Sequence, residues 1–327
     1  MKNLPARKLL WLLVFWALAL GGSWLAGCRR EIPSQSRQVP NRNQEFRLAS
    51  PVDQVHLYYL TKDERYFVPV TCNISPTREA PRVAVEKLLA GASQESLTVP
   101  FPPDVKLHAL VIEGNVVTLD LTGEVQKIKE PEAARRAFEA LVLTLTEFRE
   151  VKAVKILVNG SPLASLAGYS LNQPLVRPPY LNLLSARDTG NPAIIYFTDN
   201  SGLYLVPVTI FLPDRDHSVA GVLKLLVAGP PAGSSLGPPV WPGTKVLRVE
   251  ESNGIVTVDL SSEVLAYGGG SAQELALINA LVFTLTEFPQ VKGVQLLIEG
   301  KKRLFLPEGT EVAQPLQRPR QLNPIAL

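Results

Sequence analysis

The sequence predicts an α+β protein built from two tandem copies of one small unit. The main observation is an internal repeat: VPVT at residues 68–71 returns at 206–209, and ALVLTLTEF at 140–148 returns as ALVFTLTEF at 280–288. The chain has 327 residues, more than one hydrophobic core usually organises. Each copy also alternates strand-like stretches with amphipathic helical ones. Because solenoid units are far shorter than this period, we expect two tandem domains, called repeat 1 and repeat 2 below.

The repeat covers nearly all of the chain after the N-terminus. VTLDL at residues 117–121 matches VTVDL at 256–260, and the tail at 173–178 matches the tail at 314–319. The offset between matching positions grows slowly along the chain, which indicates single-residue insertions in loops.

These boundaries predict three parts in the repeated region. We expect a first domain at residues 55–179, a linker at 180–192 and a second domain at 193–320.

Each copy begins with two predicted strands rich in branched and aromatic residues. They cover residues 55–60 and 66–72 in repeat 1, and residues 193–198 and 203–210 in repeat 2. Pro69 and Pro207 remove a ladder donor from the second strand of each copy. Proline therefore places this strand at a sheet edge or on a bulge.

A short helix follows the two strands in each copy. In repeat 1 it is predicted at residues 79–90, with Pro81 in its first turn and Gly91 at its end. In repeat 2 it is predicted at residues 217–228, with Asp216 as N-cap.

The second half of each copy reads as hairpin, helix and final strands. The predicted hairpin arms are 105–113 with 116–121, and 245–251 with 255–260. The second arm pair turns at Asn253-Gly254, a strong hairpin signal. An amphipathic helix then leads to strands at residues 154–158 and 294–298, each followed by a glycine turn and a short strand. The order per unit is ββαββαββ, with two helices packed on a small, mostly antiparallel sheet.

The N-terminus has the pattern of an export signal. Basic residues precede twelve apolar residues at 9–20, and LAGC follows at 25–28. LAGC resembles the lipobox of bacterial lipoproteins, which predicts a signal peptide at residues 1–27 and lipidation of Cys28. An uncleaved membrane anchor is the alternative, because no charge lies between Lys8 and Arg29. Both interpretations place the body outside the cytoplasm, on the outer face of the cytoplasmic membrane.

The residues after Cys28 are mostly polar, so we expect a flexible tether at 28–54. Cys72, the other cysteine, corresponds to Ile210 in repeat 2. A position that accepts either residue type is expected to be apolar core rather than a reactive thiol.

Charge and residue usage argue against several classes of function. The net charge is +3, and three basic residues of the N-terminal signal account for the excess, so the body lacks the positive field of a nucleic-acid-binding protein. The histidines do not recur between copies: His56, His108 and His217 correspond to Ile194, Leu247 and Glu79. We expect no catalytic residues, no cofactor and no metal site.

Some polar residues occur in both copies. Asp120 and Asp259 end a strand, and Glu124 and Glu263 follow four residues later. Such carboxylates serve acid–base chemistry or calcium binding in some proteins, but we favour side-chain bonds that tighten the strand exit, with the Glu residues solvated.

A second repeated group lies at the end of the long helix of each copy. It consists of Thr144, Thr146 and Glu147, with Thr284, Thr286 and Glu287. We assign this group to helix termination rather than to binding, because threonine can bond a carbonyl one turn back.

Four segments of repeat 2 resemble the GerM (sporulation and germination) domain: residues 226–231, 240–247, 254–261 and 280–292. Repeat 1 shows the same pattern but departs from it at Gly91-Ala92 and at Phe148-Arg149. Two copies behind a lipobox match the layout of GerM lipoproteins over nearly the whole mature chain.

The resemblance implies a non-enzymatic scaffold or adaptor that supports sporulation and germination through contacts in an envelope complex. Its domains are similar to the ring-building modules of secretion systems, so self-association is expected as well. The edges marked by Pro69 and Pro207 are expected docking surfaces.

Three alternatives remain open. One is an accessory lipoprotein of a signalling kinase, and another is a hydrolase of the cell wall. The third is a wall-polymer or sugar-binding lipoprotein, which would need exposed aromatics, and the candidates are Tyr180, Trp241 and Tyr267.

Overall fold

The computed structural model describes residues 45–92, 96–184, 189–266, 268 and 270–325. These residues belong to one compact unit, Gln38–Leu327. The predicted signal peptide and Cys28 lie outside the described residues. Within the described ranges, no helix has the length and apolar character needed to cross a membrane.

Repeat 1 contains two helices and two main sheets. The helices are α1 (Ala80–Ala90) and α2 (Pro131–Leu145), with a 3₁₀ turn at Gly123–Lys127. The strands are β1 (Val52–Thr61), β2 (Phe67–Thr77), β3 (Leu97–Thr98), β4 (Leu107–Glu113), β5 (Val116–Leu121), β6 (Ala153–Val158), β7 (Ser161–Pro162), β8 (Ser165–Leu166), β9 (Tyr169–Ser170) and β10 (Leu175–Val176). One sheet contains β2-β1-β3 and the other contains β10-β6-β5-β4, while β8 and β9 form a small hairpin.

Repeat 2 has the same plan. Its helices are α3 (Val219–Ala228) and α4 (Gly270–Leu285), with a 3₁₀ turn at Ser262–Leu265. The strands are β11 (Asn191–Thr198), β12 (Leu205–Leu212), β13 (Val246–Ser252), β14 (Ile255–Leu260), β15 (Gly293–Ile298) and β16 (Pro324–Ile325). β11 pairs with β12, and β13-β14-β15 form the second sheet.

The predicted α+β architecture and its duplication are confirmed down to strand register. Tyr58 lies opposite Pro69 in the β1–β2 ladder, and Tyr196 lies opposite Pro207 in the β11–β12 ladder. The prediction of one small sheet per repeat is wrong: in the described residues the strands of each repeat divide between two sheets, because the opening hairpin forms no ladder with the second hairpin. The last long strand pairs parallel with the second hairpin. The helices pack their apolar faces on these sheets. In α2 the buried residues include Ala134, Ala137, Phe138, Leu141, Val142 and Leu145, which recur at the spacing of an amphipathic helix.

The last one-residue step in the repeat offset has a visible cause in the final hairpin. In repeat 1, Ser165 pairs with Ser170, whereas in repeat 2, Phe305 bridges Glu311. The turn of repeat 2 is therefore one residue longer, as expected for an insertion that a surface turn tolerates.

The cap predicted for the first helix of repeat 2 is wrong. Asp216 does not cap it; the N-cap is Ser218, whose side chain accepts a bond from the Gly221 N–H. In repeat 1, Pro81 and Gly91 have the predicted positions at the two ends of α1.

The tether predicted at 28–54 is wrong at its C-terminal end. Phe46 and Leu48 are buried in the core of repeat 1, and β1 begins at Val52. These two side chains alternate with polar neighbours, which is the pattern of a half-buried extended strand. Residues 29–44 lie outside the described ranges, and the predicted domain division at 55–179, 180–192 and 193–320 stays a prediction.

Candidate functional site: the junction between the repeats

The tails of the two repeats cross over and complete each other's sheets. Residues 181–184, which follow repeat 1, lie along β12 of repeat 2, where the Thr209 N–H donates to the Leu181 carbonyl at 3.1 Å. Residues 322–325, which follow repeat 2, lie along β2 of repeat 1, where the Thr71 N–H donates to the Leu322 carbonyl at 2.9 Å.

This crossover changes the interpretation of the proline-marked strands. Pro69 and Pro207 do lie on the outer side of their hairpins, where a missing N–H costs no ladder bond. Their edges are not open docking surfaces, however, because the tail of the opposite repeat covers each of them. The expectation that these edges receive another chain is therefore wrong.

Two asparagines fasten the crossing. Asn182 accepts a bond from the Phe67 N–H at 2.8 Å, and its amide group donates to the Phe67 carbonyl at 2.7 Å and the Pro207 carbonyl at 2.8 Å. It therefore joins β2 of repeat 1 to β12 of repeat 2.

Asn323 makes the reciprocal set of bonds. It accepts from the Leu205 N–H at 2.8 Å and donates to the Leu205 carbonyl at 2.7 Å and the Pro69 carbonyl at 2.8 Å. Both asparagines have a positive φ near 50°, a conformation that asparagine tolerates better than most residues. The amide is required because one side chain must accept and donate at the same time.

A Tyr–Glu–Arg triad lies beside the crossing in repeat 1. The Tyr58 hydroxyl donates to the Glu147 carboxylate at 2.6 Å, and Arg177 donates to that carboxylate at 2.8 Å. Arg177 also donates to the Leu143 carbonyl at 2.9 Å, which is one of the free carbonyls at the end of α2. The triad thus ties the tail of the repeat to β1 and to the end of the helix.

Repeat 2 contains the same triad. Tyr196 donates to Glu287 at 2.9 Å, and Arg318 donates to Glu287 at 2.7 Å. Here the Arg318 guanidinium also lies 4.6 Å from the ring centroid of Phe283, which adds a cation–π contact at the position that Leu143 has in repeat 1.

The repeated threonines divide into two roles. Thr146 and Thr286 donate to the carbonyls of Val142 and Val282, each at 2.6 Å, as predicted for helix termination. Thr144 and Thr284 do something else: their hydroxyl oxygens accept from the backbone N–H groups of Tyr58 and Tyr196. They join the helix to the first strand of the repeat.

The electrostatics of the triads keep both tyrosines protonated. Burial raises the pKa of the Tyr58 hydroxyl, and the negative charge of Glu147 raises it further. Burial and Glu287 raise the pKa of Tyr196 in the same way. Each tyrosine therefore acts as a permanent hydrogen-bond donor, not as a base, at ordinary pH.

The two triads face a shared cleft of about 480 Å³ between the repeats. Its walls are the prolines of both tails and the rings of Tyr58 and Tyr196, and its charged groups include Arg177, Arg318 and Arg320. Arg177 and Arg318 are already bonded to Glu147 and Glu287, and these side chains are partly exposed. The cleft is therefore lined by groups that stabilise the junction.

The repeated aspartates tighten the strand exits, as predicted. Asp120 accepts from the Gly160 N–H at 2.8 Å, and Asp259 accepts from the Gly300 N–H at 2.9 Å. Glu124 is partly exposed, and a bond from the Thr122 side chain lowers its pKa. In the described part of the chain, no cluster of three His, Cys, Asp or Glu side chains is arranged to hold a metal ion.

The three histidines lie in different parts of the fold. His56 contacts the Thr71 hydroxyl at 3.3 Å, His108 lies 3.7 Å from Asp120, and His217 contacts the Pro192 carbonyl at 3.2 Å. Cys72 is fully buried in the core, which confirms its predicted role.

Of the aromatics considered for sugar binding, Tyr180 packs edge-on against Phe211 with ring centroids 4.9 Å apart. The Trp241 carbonyl accepts from the Thr244 hydroxyl at 2.7 Å within a turn. Tyr267 lies outside the described residues.

Sequence reasoning missed the junction itself. The signal that could have found it is the recurrence of Asn182 at Asn323 and of Arg177 at Arg318, both at the offset of the tails. A polar residue repeated in both copies at a matching offset marks a bond that both copies make.

The fold and the junction define a class of protein: a tandem pair of α+β modules fastened into one unit by crossed tails. The family model described as "Sporulation and spore germination" (Germane) matches residues 56–164 and 194–304, once in each repeat. The chain belongs to this Germane family, which confirms the resemblance drawn from its sequence.

Two matches to one relative, a sequence and a solved structure, support this assignment. The spore germination protein GerM of Bacillus subtilis (strain 168) is 24% identical over 286 residues, which cover 81% of this chain and 77% of GerM. The solved structure of the tandem GerMN domains of the sporulation protein GerM from Bacillus subtilis has 25% identity and a TM-score of 0.62. That match covers 84% of this chain and 99% of the solved chain. The protein is a homologue of GerM with the same tandem-domain architecture.

Proposed function

We propose that this protein is a non-enzymatic, lipid-anchored adaptor on the outer face of the cytoplasmic membrane. In this proposal it supports sporulation and germination through protein contacts within an envelope complex. Its relative GerM of Bacillus subtilis is a spore germination protein, which supports this biological process.

One observation carries the non-enzymatic part of the proposal. The polar side chains that both repeats share bond within the protein: the triads, the repeated threonines, the strand-exit aspartates and the two asparagines. A catalytic site needs acid, base or nucleophile groups that converge on a space a substrate can occupy. Residues already bonded to backbone and to each other are suited to holding a shape that a partner recognises.

His108 and Asp120 offer the arrangement most like an acid–base pair among the described residues. They are 3.7 Å apart, and the His108 side chain is half exposed. In repeat 2 the corresponding residues are Leu247 and Asp259, so the second copy keeps the aspartate without the histidine. We interpret His108 as a surface residue of β4.

The anchoring part rests on the sequence around Cys28. A thioether-linked diacylglycerol supplies two acyl chains, which hold a protein at a bilayer far better than one chain does. Two anchoring chains would keep the adaptor at the membrane while its repeats remain available to partners.

The test is complementation of a deletion strain of the source organism, scored for spore formation and for germination. Wild-type chain is expected to restore both, and Cys28→Ala is expected to release the protein from the membrane and lower spore yield at least tenfold. His108→Leu, which installs the repeat 2 residue, is expected to restore wild-type yield.

The two parts of the proposal fail in different ways. If Cys28→Ala keeps its membrane retention and its mass, the anchor is an uncleaved helix and not a lipid. Loss of spores in His108→Leu, with unchanged protein level and thermal stability, would point to catalysis instead. Retention of residues 29–327 on purified peptidoglycan, but not on membrane protein extracts, would favour wall binding over the adaptor role.

A further inference from the structure

The outer edge of β4 in repeat 1 is covered by the chain's own N-terminal segment. Glu45 bridges Val111 in antiparallel fashion, and the Phe46 N–H donates to the Leu110 carbonyl at 3.1 Å. Phe46 is 2% exposed and packs in the core together with Leu48. A short extended segment with apolar residues at alternate positions thus completes this sheet.

The matching edge in repeat 2 is β13, and within the described residues it pairs only with β14. The position of the fully buried Leu110 is taken by Val249, which is only half buried, and Leu247 is 47% exposed. A row of backbone N–H and C=O groups on an open edge is a template for another strand.

Among the described residues, the counterpart of the segment that covers β4 does not reach β13. Leu183 and Leu184, which match Glu45 and Phe46 in the repeat, lie along β12 instead, where Leu183 bridges Thr209. The segment that covers the edge in repeat 1 is therefore committed to the junction in repeat 2.

We propose that the β13 edge receives an extended segment of a partner protein in the antiparallel register that Glu45 and Phe46 adopt on β4. Such a segment carries large apolar side chains at alternate positions, in the pattern Phe-x-Leu. Main-chain bonds to the edge give affinity, and pockets for alternate side chains give specificity. The inference rests on the proposed adaptor role only for the biological identity of this partner.

The surroundings of β13 leave room for a longer segment. A cavity of about 700 Å³ lies between the end of α3 and the start of β13, lined by Val227, Lys245 and Val246 among others. In the antiparallel register, residues that follow the Leu position of a docked segment run toward Val246. The cavity would then hold the side chains that come after the Phe-x-Leu pattern.

The geometry identifies a backbone change at the docking edge. Because Leu110 presents its carbonyl to Phe46, its N–H also points outward, and the same holds for Val249 at the matching ladder position. Val249→Pro removes an outward N–H without removing a bond to β14. Val249→Thr is the matched control, because it keeps the β-branched shape and the N–H.

The test uses the compact unit, residues 38–327, and a peptide with the sequence of residues 44–50, QEFRLAS. Binding is measured by calorimetry and amide hydrogen exchange. The expected result is saturable binding that protects the amides of β13, at least tenfold weaker for Val249→Pro and within twofold for Val249→Thr. The peptide QEARAAS is expected to bind at least tenfold more weakly than QEFRLAS.

Several results would overturn the proposal. These are no binding at millimolar peptide, equal binding to Val249→Pro, or protection confined to β4 of repeat 1. Because hydrogen exchange is read on the unmodified chain, the result stands even if Val249→Pro does not fold. The peptide assay involves neither lipidation nor spores, so its failure is separate from failure of the adaptor role.

Discussion

In repeat 1 the final hairpin is held to α2 by the rings of Phe138 and Tyr169, which stack with centroids 6.1 Å apart. In repeat 2 the same hairpin is held to α4 by the buried carboxylate of Glu274, which accepts from the N–H groups of Glu308 and Thr310, each at 2.8 Å. One copy uses an aromatic stack and the other a buried carboxyl group for the same task.

The outer surfaces of the repeats differ as well. Repeat 2 exposes 70% of Leu304 and 57% of Phe305 at the hairpin, where repeat 1 has Ala164 and Ser165. The crossed tails and the triads, by contrast, are nearly identical in both copies. The comparison teaches that the bonds at the junction recur in both copies, whereas the contacts and exposed side chains of the final hairpins differ between the copies.

The largest expected effect comes from the segment that only repeat 1 possesses. Phe46→Ala is expected to lower the free energy of unfolding by about 4 kcal/mol, because a fully buried ring is removed from the core. Urea denaturation of residues 38–327 measures this loss. Leu184→Ala changes the matching but half-buried residue of repeat 2 and is expected to cost less than about 2 kcal/mol. Equal costs would mean that the two segments have the same role.

The junction is expected to respond symmetrically. Asn182→Ala and Asn323→Ala each remove three bonds to backbone groups, and each is expected to cost about 3 kcal/mol in urea denaturation. Asn253→Ala is the control for the backbone, since Asn253 also has a positive φ but lies in an exposed turn. It is expected to cost about 1 kcal/mol. A difference of more than about 2 kcal/mol between the two junction variants would contradict the symmetry.

The two contacts that hold the final hairpins to α2 and α4 are expected to contribute differently to the free energy of unfolding. Glu274→Ala leaves two N–H groups without their acceptor and is expected to cost about 2–3 kcal/mol. Tyr169→Thr installs the repeat 2 residue and removes the stack, which is expected to cost about 1 kcal/mol. Thermal unfolding of both variants ranks them, and a costlier Tyr169→Thr would reverse the comparison.

The smallest effect at neutral pH concerns the triads. The folded-state pKa values of Tyr58 and Tyr196 are raised above the unfolded value near 10, mainly by burial. Above that pH the unfolded chain loses protons that the folded chain keeps, so stability is complete below about pH 10 and falls as pH rises further. Unfolding followed by tyrosinate absorbance should show this decline, and Tyr58→Phe and Tyr196→Phe should reduce it to a similar extent. A decline that neither variant changes would assign it to other groups.

Much of the fold follows from the sequence because its signals are local and occur twice. The periodicity of α2, the Asn253-Gly254 turn and the strand around Pro69 depend on neighbours within a few residues. Short apolar stretches are usually ambiguous between helix and strand, and the recurrence of these signals in the second copy removed that ambiguity.

The junction could not be derived in this way, because its partners are far apart in the chain. Asn182 bonds Phe67 across 115 residues, and Asn323 bonds Pro69 across 254 residues. The N-terminal segment that covers β4 was missed for a different reason. Phe46 and Leu48 are two apolar residues in a polar stretch, and the predicted tether followed the polar composition of this stretch rather than the alternation of these two residues.

The crossed tails have the geometry of a swapped dimer whose two chains have become one. A single copy on its own would carry a bare strand edge at β2 or β12 and a tail with nothing to lie on. Two single copies would supply each other's missing strand through one isologous contact. In this protein a covalent connection makes that association intramolecular, so dilution cannot separate the halves.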